Sequence, residues 1–419
     1  MSRFTQLRAF TAFDARNFRL YFFGQCFALT GSWMQRVALT WLVMILTDSG
    51  EKMGLVEFLN QCPVFFVGLF IGVFLDRWDL RMVLIVTQII VIIQSLILAL
   101  LLYTDTVTYP AILFLSFVLG IIAAVDMPAR QASISQMIDH PSQLQSALSL
   151  QSSSFNLARL LGPTVAGFVI RISGVMACFV LNALGHLAVL YAYIIMRLPE
   201  RKRSARNLSA VGALREGLRY MWQVTPIRLC TVFNYAFCFV AIPYVVLMPL
   251  MVTRMMGGDE RHYGFMLGGI GAGALAGALF IAFRISLRLM SRHICRMQIL
   301  FGAALLVYSQ VMDWRIAFAI TPVLGFAITS SLVANNSLIQ GLVDEDKRAR
   351  VLSYYSFGLL GFGPLGAYLA GKLADVLDAQ TALVICAALS LGVGLAHALR
   401  QKSYDAFVPK MLEDKGLLG

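Results

Sequence analysis

Five charged side chains of this 419-residue chain lie within long apolar stretches: Arg36, Glu57, Asp126, Arg130 and Arg159. An ionised group is costly to bury in a bilayer, so such residues pair with one another or serve a substrate or ion pathway. Arg36 and Arg159 lie near the middle of their stretches and predict a pocket for an anionic or polar ligand. We expect Glu57 to exchange a proton there. A structural Arg–Glu pair is the alternative.

Uncharged polar side chains extend this set of candidate ligand contacts. The first half of the chain contributes Gln35 and Asn156, and the second half, which has no deep acid, contributes Asn234, Tyr235, Asn335, Asn336 and Tyr354. Combined with the two arginines, they predict a ligand that is polar at one end and aromatic or apolar at the other. Packing within a helix bundle is the alternative for each of them.

Other chemistries lack the residues they would need. The seven cysteines show no C-x-x-C spacing and the five histidines do not group, so we predict no metal site and no reactive cluster of a membrane enzyme. The glycine-rich stretch 268–277 lacks the lysine of a phosphate-binding loop, so no nucleotide or other cofactor is expected. A channel would need a polar pore-lining helix repeated around an axis, which the sequence does not offer.

Composition indicates which elements position these residues. Hydrophobic residues make up 59% of the chain and charged residues 13%, against about 25% charged in soluble domains. A membrane-spanning helix needs roughly 20 apolar residues. The apolar runs predict an all-α polytopic membrane protein with twelve transmembrane helices, near 18–46, 53–75, 82–104, 109–137, 145–171, 174–197, 226–254, 263–284, 294–312, 314–340, 350–374 and 379–399.

The basic residues predict the orientation of these helices. With both termini in the cytoplasm, 25 of the 34 Lys and Arg residues fall on the cytoplasmic side and 6 on the other. Such a bias is typical of cytoplasmic loops. It accounts for the net charge of +12 without a nucleic-acid partner. We expect a monomer in a bacterial inner membrane, with lipid around it; whether an outer-membrane protein receives the cargo stays open.

An internal repeat divides the chain into two halves. Gly162-Pro163 in the fifth segment and Gly363-Pro364 in the eleventh follow similar serine- and phenylalanine-containing stretches at an offset of 201 residues. Duplicated six-helix units imply a pseudo-two-fold axis and a site near the bilayer midplane. We predict an N-terminal six-helix bundle over 1–197, a cytoplasmic loop over 198–225, a C-terminal bundle over 226–400 and a cytoplasmic tail over 401–419.

The loop after the second segment resembles a signature of the major facilitator superfamily. Gly72 to Arg81 is similar to G-x-x-x-D-R-x-x-R-R, although Asp79 and Leu80 stand where glycine and a basic residue are usual. The resemblance implies a gating latch formed by Gly72, Asp76, Arg77 and Arg81. Asp126 and Arg130, four residues apart on one helix face, are expected to extend it.

The first six segments resemble one branch of that superfamily. Gly162, Pro163 and Gly167 are similar to the antiporter motif, with Ala166 in place of a glycine; stretches such as Asp126 to Gln131 resemble the branch of the enterobactin exporter and related efflux proteins. The resemblance implies two pseudo-symmetric bundles and proton-coupled export of a small amphiphilic, anionic metabolite such as a siderophore by alternating access. A multidrug efflux antiporter is the alternative, followed by a lysophospholipid or nutrient carrier.

Overall fold

The computed structural model describes residues 8–75, 78–196, 210–345 and 347–415, and over these ranges the chain is helical without β-strands. Two compact units emerge from the packing. The first holds the described residues up to Leu46 and those from Cys62 to Met196. The second holds Thr47–Gln61 and the described residues from Ala210 onwards.

Five α-helices, besides two short 3-10 helices, make up most of the described part of the first half of the chain. Their bounds are α1 Arg16–Thr47, α2 Gly50–Leu75, α3 Leu80–Tyr103, α4 Tyr109–Met137 and α5 Leu144–Ile195. The last of these has 52 residues and contains both the fifth and the sixth predicted segment. Gly174 separates the two with φ 79°, a left-handed conformation that favours glycine. The predicted break at 172–173 is therefore a single-residue break rather than a loop.

Ten helices follow in the second half. They are α6 Ala210–Gln223, α7 Thr225–Ala241, α8 Pro243–Leu250, α9 Glu260–Arg284, α10 Met290–Gln310, α11 Trp314–Leu342, α12 Arg348–Phe357, α13 Gly363–Val376, α14 Ala379–Leu399 and α15 Gln401–Asp414. A π-helical turn, Met251–Met255, extends α8, and another, Gly358–Phe362, joins α12 to α13. Pro364 has no N–H to donate, which suits a wide turn directly before it.

Every predicted segment coincides with helix. Within the described ranges, seven helical stretches are long and apolar enough to cross a membrane by length and composition. One of them, Pro141–Ile195, has 55 residues, enough for two spans of roughly 20 each. Helix α1 is not among the seven stretches, because polar residues such as Gln35 and Arg36 lower its mean hydropathy.

The beginning of α2 packs with the second half of the chain, which differs from the predicted domain boundary. The Asp375 carboxylate on α13 accepts hydrogen bonds from the Ser49 hydroxyl, from the Gly50 N–H at 2.6 Å and from the Glu51 N–H at 3.1 Å. It thereby satisfies N–H groups that the first turn of a helix leaves without partners. Asp48 adds an ion pair with Arg254 at 2.8 Å.

The two Gly-Pro pairs pack in equivalent ways, each within its own unit. A side chain at Gly162 would collide with Trp33 in the middle of α1. A side chain at Gly363 would collide with Ile242, where α7 meets α8, and one at Gly366 with the Phe239 carbonyl. Small residues let helix backbones approach closely in membranes. The sequence repeat thus corresponds to a repeated helix crossing.

Two amphipathic helices occupy regions that we had predicted as loop and tail. α6 packs on α12, and its Glu216 pairs with Arg350 at 2.5 Å. α15 buries Tyr404, Val408 and Leu412, which recur every four residues. The Lys415 ammonium at its end hydrogen-bonds Asp344 and lowers the pKa of that carboxyl. Residues 198–209 of the predicted loop lie outside the described ranges, as does residue 197.

Candidate transport site

A cationic cluster lies where α1 crosses the first part of α5. The Arg36 guanidinium lies 5.5 Å from the centre of the Trp33 ring, and Trp33 meets Phe155 edge to face at 6.1 Å. Arg159 donates to the Asn156 amide oxygen at 3.0 Å. Arg36 and Phe155 are exposed, whereas Asn156 and Arg159 are half-buried. The predicted Arg36, Asn156 and Arg159 therefore share one face of the first unit with two aromatic rings.

Gln35, the neighbour of Arg36, points into the interior of the same unit. Its amide oxygen accepts hydrogen bonds from Ser95 at 2.8 Å and from Asn182, and its amide nitrogen donates to Gln94 at 2.9 Å. The side chain is 2% exposed. These contacts tie α1 to α3 and to the second part of α5, which favours the packing alternative for Gln35 over ligand contact.

The described members of the predicted latch fall into two groups. Arg81 donates to the carbonyl oxygens of Tyr193 at 2.9 Å and Ile194 at 2.6 Å, so it caps the end of α5. Asp79, unusual for the signature, caps the start of α3 by accepting from the Arg81 N–H. Gly72 lies within α2, and Asp76 and Arg77 lie outside the described residues.

Asp126 and Arg130 form the second group. Arg130, which is half-buried, donates to the buried Asp126 at 2.6 Å in an ion pair on α4, which confirms that the two side chains share a helix face. The other carboxylate oxygen accepts from Thr87 at 2.9 Å and from Gln88 at 2.8 Å, both on α3. The pair is thus anchored to α3, through hydrogen bonds that satisfy the buried carboxylate.

The antiporter-motif residues have a packing role. Gly162, Pro163 and Gly167 are buried in α5. Close contact with Trp33 explains the need for glycine at the first of these positions. The arrangement also positions the cationic cluster, because it brings the Arg36 side of α1 against the Arg159 side of α5.

Glu57 belongs to the segment of α2 that packs with the second unit. Its carboxylate is half-buried and accepts from the Gln61 amide at 3.4 Å, one helical turn away. Arg36 and Arg159 lie in the first unit. The predicted contact of Glu57 with these arginines therefore stays a prediction.

The polar candidates of the second unit divide into buried and half-buried residues. Asn234 donates to the Tyr355 carbonyl at 3.3 Å and Asn335 to the Cys230 carbonyl at 3.1 Å, and both are buried. These two hold α7 against its neighbours. The half-buried group consists of Asn336, Tyr354 and Tyr235, whose hydroxyl donates to the Tyr354 carbonyl at 2.6 Å and whose ring stacks on Phe362 at 4.8 Å.

One buried residue with evident chemistry escaped the sequence reasoning. The His186 ring lies between Gln88, at 2.6 Å, and Ser32, at 3.1 Å. We had examined the histidines only for grouping with one another. The signal that could have found His186 is its spacing of four from Asn182 in an apolar helix, opposite the polar Gln88, Gln94 and Ser95 of α3.

A family profile described as a transmembrane secretion effector matches residues 7–412. Among curated proteins, a staphyloferrin A transporter of Staphylococcus aureus is 24% identical over 365 residues, covering 85% of this chain and 89% of that protein. The multidrug efflux pump Tap of Mycolicibacterium fortuitum is 24% identical and covers 92% of this chain and 96% of its own. Macrolide efflux protein A of Streptococcus pyogenes is 21% identical, with coverage of 89% and 95%.

Solved structures support the fold. A POT family transporter in complex with 5-aminolevulinic acid matches with a TM-score of 0.71 at 13% identity, covering 95% of this chain and 97% of that one. The nucleoside transporter NupG matches with a TM-score of 0.68 at 17% identity, covering 92% and 98%. At these identities the likeness concerns the fold alone.

Proposed function

The chain belongs to the transmembrane secretion effector family, whose fold is that of the major facilitator superfamily, and from this premise we propose that it exports an anionic, partly aromatic metabolite such as a siderophore. It is a multi-pass membrane transporter with efflux pumps among its relatives, not an enzyme. The proposal adds a substrate class, a proton as the coupling ion and alternating access as the mechanism.

The cationic cluster carries the substrate proposal. Arg36 and Arg159 place two guanidinium groups within predicted spans, where a charged group is functional by default. Guanidinium binds carboxylate oxygens in a two-pronged geometry. Trp33 and Phe155 lie beside them and offer ring faces and edges to the aromatic part of a ligand. A catecholate-bearing chelator presents both kinds of group, whereas an aliphatic carboxylate chelator presents only the anionic one.

Multidrug efflux is the second candidate, and the aromatic residues favour it. Phe155 is 43% exposed in the first unit, and in the second unit the stacked Tyr235 and Phe362 present another partly exposed aromatic surface. Such surfaces accept varied apolar ligands without demanding a charge. The efflux pumps and macrolide efflux protein among the relatives are consistent with this reading. A lysophospholipid or nutrient carrier ranks third.

Glu57 is the proposed proton-exchanging group.

Both termini are proposed to be cytoplasmic in a bacterial inner membrane. The bias of 25 basic residues on the cytoplasmic side against 6 on the other supports this orientation. An alkaline phosphatase fused after Gly419 should be inactive, and one fused after Thr106 in the α3–α4 connection should be active. The reverse pattern would contradict this orientation.

Transport by the purified protein tests the proposal. Proteoliposomes are given an inward or outward pH gradient, with staphyloferrin A and ethidium as separate probes. A siderophore exporter accumulates staphyloferrin A against its gradient, saturably, and a protonophore abolishes the accumulation. Movement of ethidium alone would favour the multidrug candidate. Accumulation that ignores the protonophore would refute proton coupling.

A further inference from the structure

A continuous chain of hydrogen bonds crosses the interior of the first unit, and its middle member is His186. The chain begins at Ser32 on α1, passes through His186 on α5 and Gln88 on α3, and ends at the Asp126–Arg130 pair on α4. His186 is 9% exposed, whereas Ser32 is exposed, on the same face of α1 as Arg36 one turn away. The imidazole therefore lies directly behind a group on the surface of the unit.

The partners of His186 determine where its protons reside. The Asp126 carboxyl oxygens accept from Arg130 and Thr87, so the Gln88 amide nitrogen faces Asp126 and the amide oxygen faces His186. That oxygen can only accept, which requires a hydrogen on Nδ1 of His186. The orientation of the amide thus follows from the partners of Asp126 rather than from arbitrary placement.

The other ring nitrogen of His186, Nε2, and the Ala28 carbonyl oxygen are both within hydrogen-bond distance of the Ser32 hydroxyl. Ser32 Oγ lies 3.1 Å from Nε2 of His186 and 2.8 Å from the Ala28 carbonyl oxygen. A hydroxyl has one hydrogen to donate. With a neutral imidazole, the Ser32 hydroxyl donates to Nε2 and the Ala28 carbonyl keeps the helical N–H of Ser32 as its donor. With a protonated imidazole, Nε2–H donates to Ser32 and the Ser32 hydroxyl donates to the Ala28 carbonyl, so the site can match its donors and acceptors in both protonation states.

We infer that His186 is a proton-binding site of the transport cycle, loaded from the Ser32 side and linked through Gln88 to the Asp126–Arg130 pair. A proton that arrives at Nε2 forms the imidazolium, and the Ser32 hydroxyl turns to the Ala28 carbonyl. Its release returns Nε2 to an acceptor and reverses that rotation. No other covalent bond changes. The inference rests on the proposed proton coupling and adds a second protonatable group to the proposed Glu57.

The charges around His186 give the bound proton a mechanical consequence. The charged groups in its network are Asp126 and Arg130 on α4, while α1 and α3 contribute the uncharged Ser32 and Gln88. An imidazolium attracts the Asp126 carboxylate through the Gln88 amide and repels Arg130. Because the hydrogen bonds of Asp126 with Thr87 and Gln88 join α4 to α3, the protonation state of His186 biases how the two helices are held together.

The test separates driven transport from exchange. His186→Gln is placed in proteoliposomes with staphyloferrin A and ethidium as probes, and His397→Gln serves as the matched control. His397 is buried in the second unit and bonded to Gln298 and Tyr404, and none of its hydrogen-bond partners among the described residues is a carboxylate. We expect the His186 variant to lose pH-driven accumulation and to retain exchange of probe across the membrane without a gradient. The control should retain both.

Substitution of Ser32 tests proton binding by a measurement that a packing role of His186 would not change, the pH of half-maximal driven transport. Ser32→Ala removes the acceptor for Nε2–H and so disfavours the imidazolium, which should move the pH of half-maximal driven transport to lower values. Ser32→Thr keeps a hydroxyl and should leave that pH in place. Driven accumulation by a folded His186→Gln protein, or loss of exchange together with accumulation, would overturn the inference. Wild-type protein that exchanges probe but ignores the pH gradient would refute proton coupling itself.

Discussion

At the scale of single residues, burial separates side chains that were equivalent in the sequence. Gln35 and Arg36 are neighbours on α1, yet Gln35 is enclosed in a network with Ser95 and Asn182 whereas Arg36 is exposed beside Trp33. Neighbouring side chains on a helix are about 100° apart around the axis, so one can face a cavity or lipid while the other faces the core. Their proposed roles differ for that reason.

Arg159 is expected to be essential for transport. Arg159→Gln removes the charge and keeps an amide that can still reach Asn156. We predict that uptake of staphyloferrin A into proteoliposomes falls to the level of empty liposomes while the protein remains folded. Arg171→Gln is the control, because Arg171 lies on the same helix, twelve residues further on, and is exposed. Undiminished uptake by the Arg159 variant would remove the substrate proposal.

Gln35 is expected to matter for stability rather than for transport. Gln35→Met fills a similar volume but leaves Ser95, Asn182 and Gln94 with unmatched polar groups, at a cost of about 1–3 kcal/mol. We predict a lower melting temperature in detergent and near-normal transport per folded molecule. Normal stability combined with lost transport would instead make Gln35 a ligand contact.

Residue types alone predicted part of the site. The spacing of Asp126 and Arg130 correctly predicted a shared helix face, because residues four apart on a helix meet irrespective of the rest of the fold, and there the two side chains form an ion pair. The position of His186 between Ser32 and Gln88 depends on how α1, α3 and α5 pack, which hydropathy does not encode. The same is true of Arg81, whose partners are carbonyls at the end of α5.

At the scale of elements, glycines control how closely the helices approach. In the second unit α9 and α11 cross so tightly that a side chain at Gly325 would overlap the Ile270 carbonyl, and one at Gly273 the Pro322 carbonyl. The glycine-rich run 268–277, which lacks the lysine of a phosphate-binding loop, therefore contributes to helix packing at this crossing.

Gly325→Ala should therefore be strongly destabilising. The added methyl forces backbone shifts that typically cost about 1–3 kcal/mol. Gly392→Ala in α14 is the matched control, because nothing lies within 4 Å of a side chain there, and alanine favours helix more than glycine does. Thermal unfolding in detergent should show a loss only for the first variant. Equal melting temperatures would mean that α9 and α11 separate freely.

The attachment of α2 to α13 makes a second prediction at this scale. Asp375→Asn leaves one acceptor oxygen for three donors, so at least one hydrogen bond is lost, worth about 1 kcal/mol. Asp378→Asn is the control, since Asp378 caps its own helix, α14, and asparagine is an equally good cap. We expect faster proteolysis near Ser49 for the first variant only. Matching proteolysis patterns would show that the Asp375 contacts do not restrain this segment.

At the scale of the whole molecule, hydropathy was sufficient to predict the twelve helical segments, because a bilayer requires every spanning helix to be long and apolar. It could not reveal α6 and α15, whose apolar residues form only a narrow stripe in polar segments. It also does not indicate that the first residues of α2 pack with the second half of the chain. Capture of that helix end by Asp375 depends on tertiary contacts more than 300 residues apart in the chain.

Substrate class is the property of the whole molecule that matters most, because the two candidates place different demands on the same surface. A siderophore uses the charge of Arg36 and Arg159 together with the rings beside them. A multidrug substrate uses mainly the rings. The two candidates therefore differ in which compound the cell exports, a siderophore or a range of apolar drugs.

The most direct test of the account is the iron-chelating activity of the medium around a deletion strain grown without iron, beside the same strain complemented with the wild-type gene or with Arg159→Gln. Export of a siderophore predicts that chelator disappears from the medium and accumulates in the cells, and that only the wild-type gene restores its release. If the deletion strain releases chelator normally but shows reduced dye efflux, the result would contradict the account and favour the multidrug candidate.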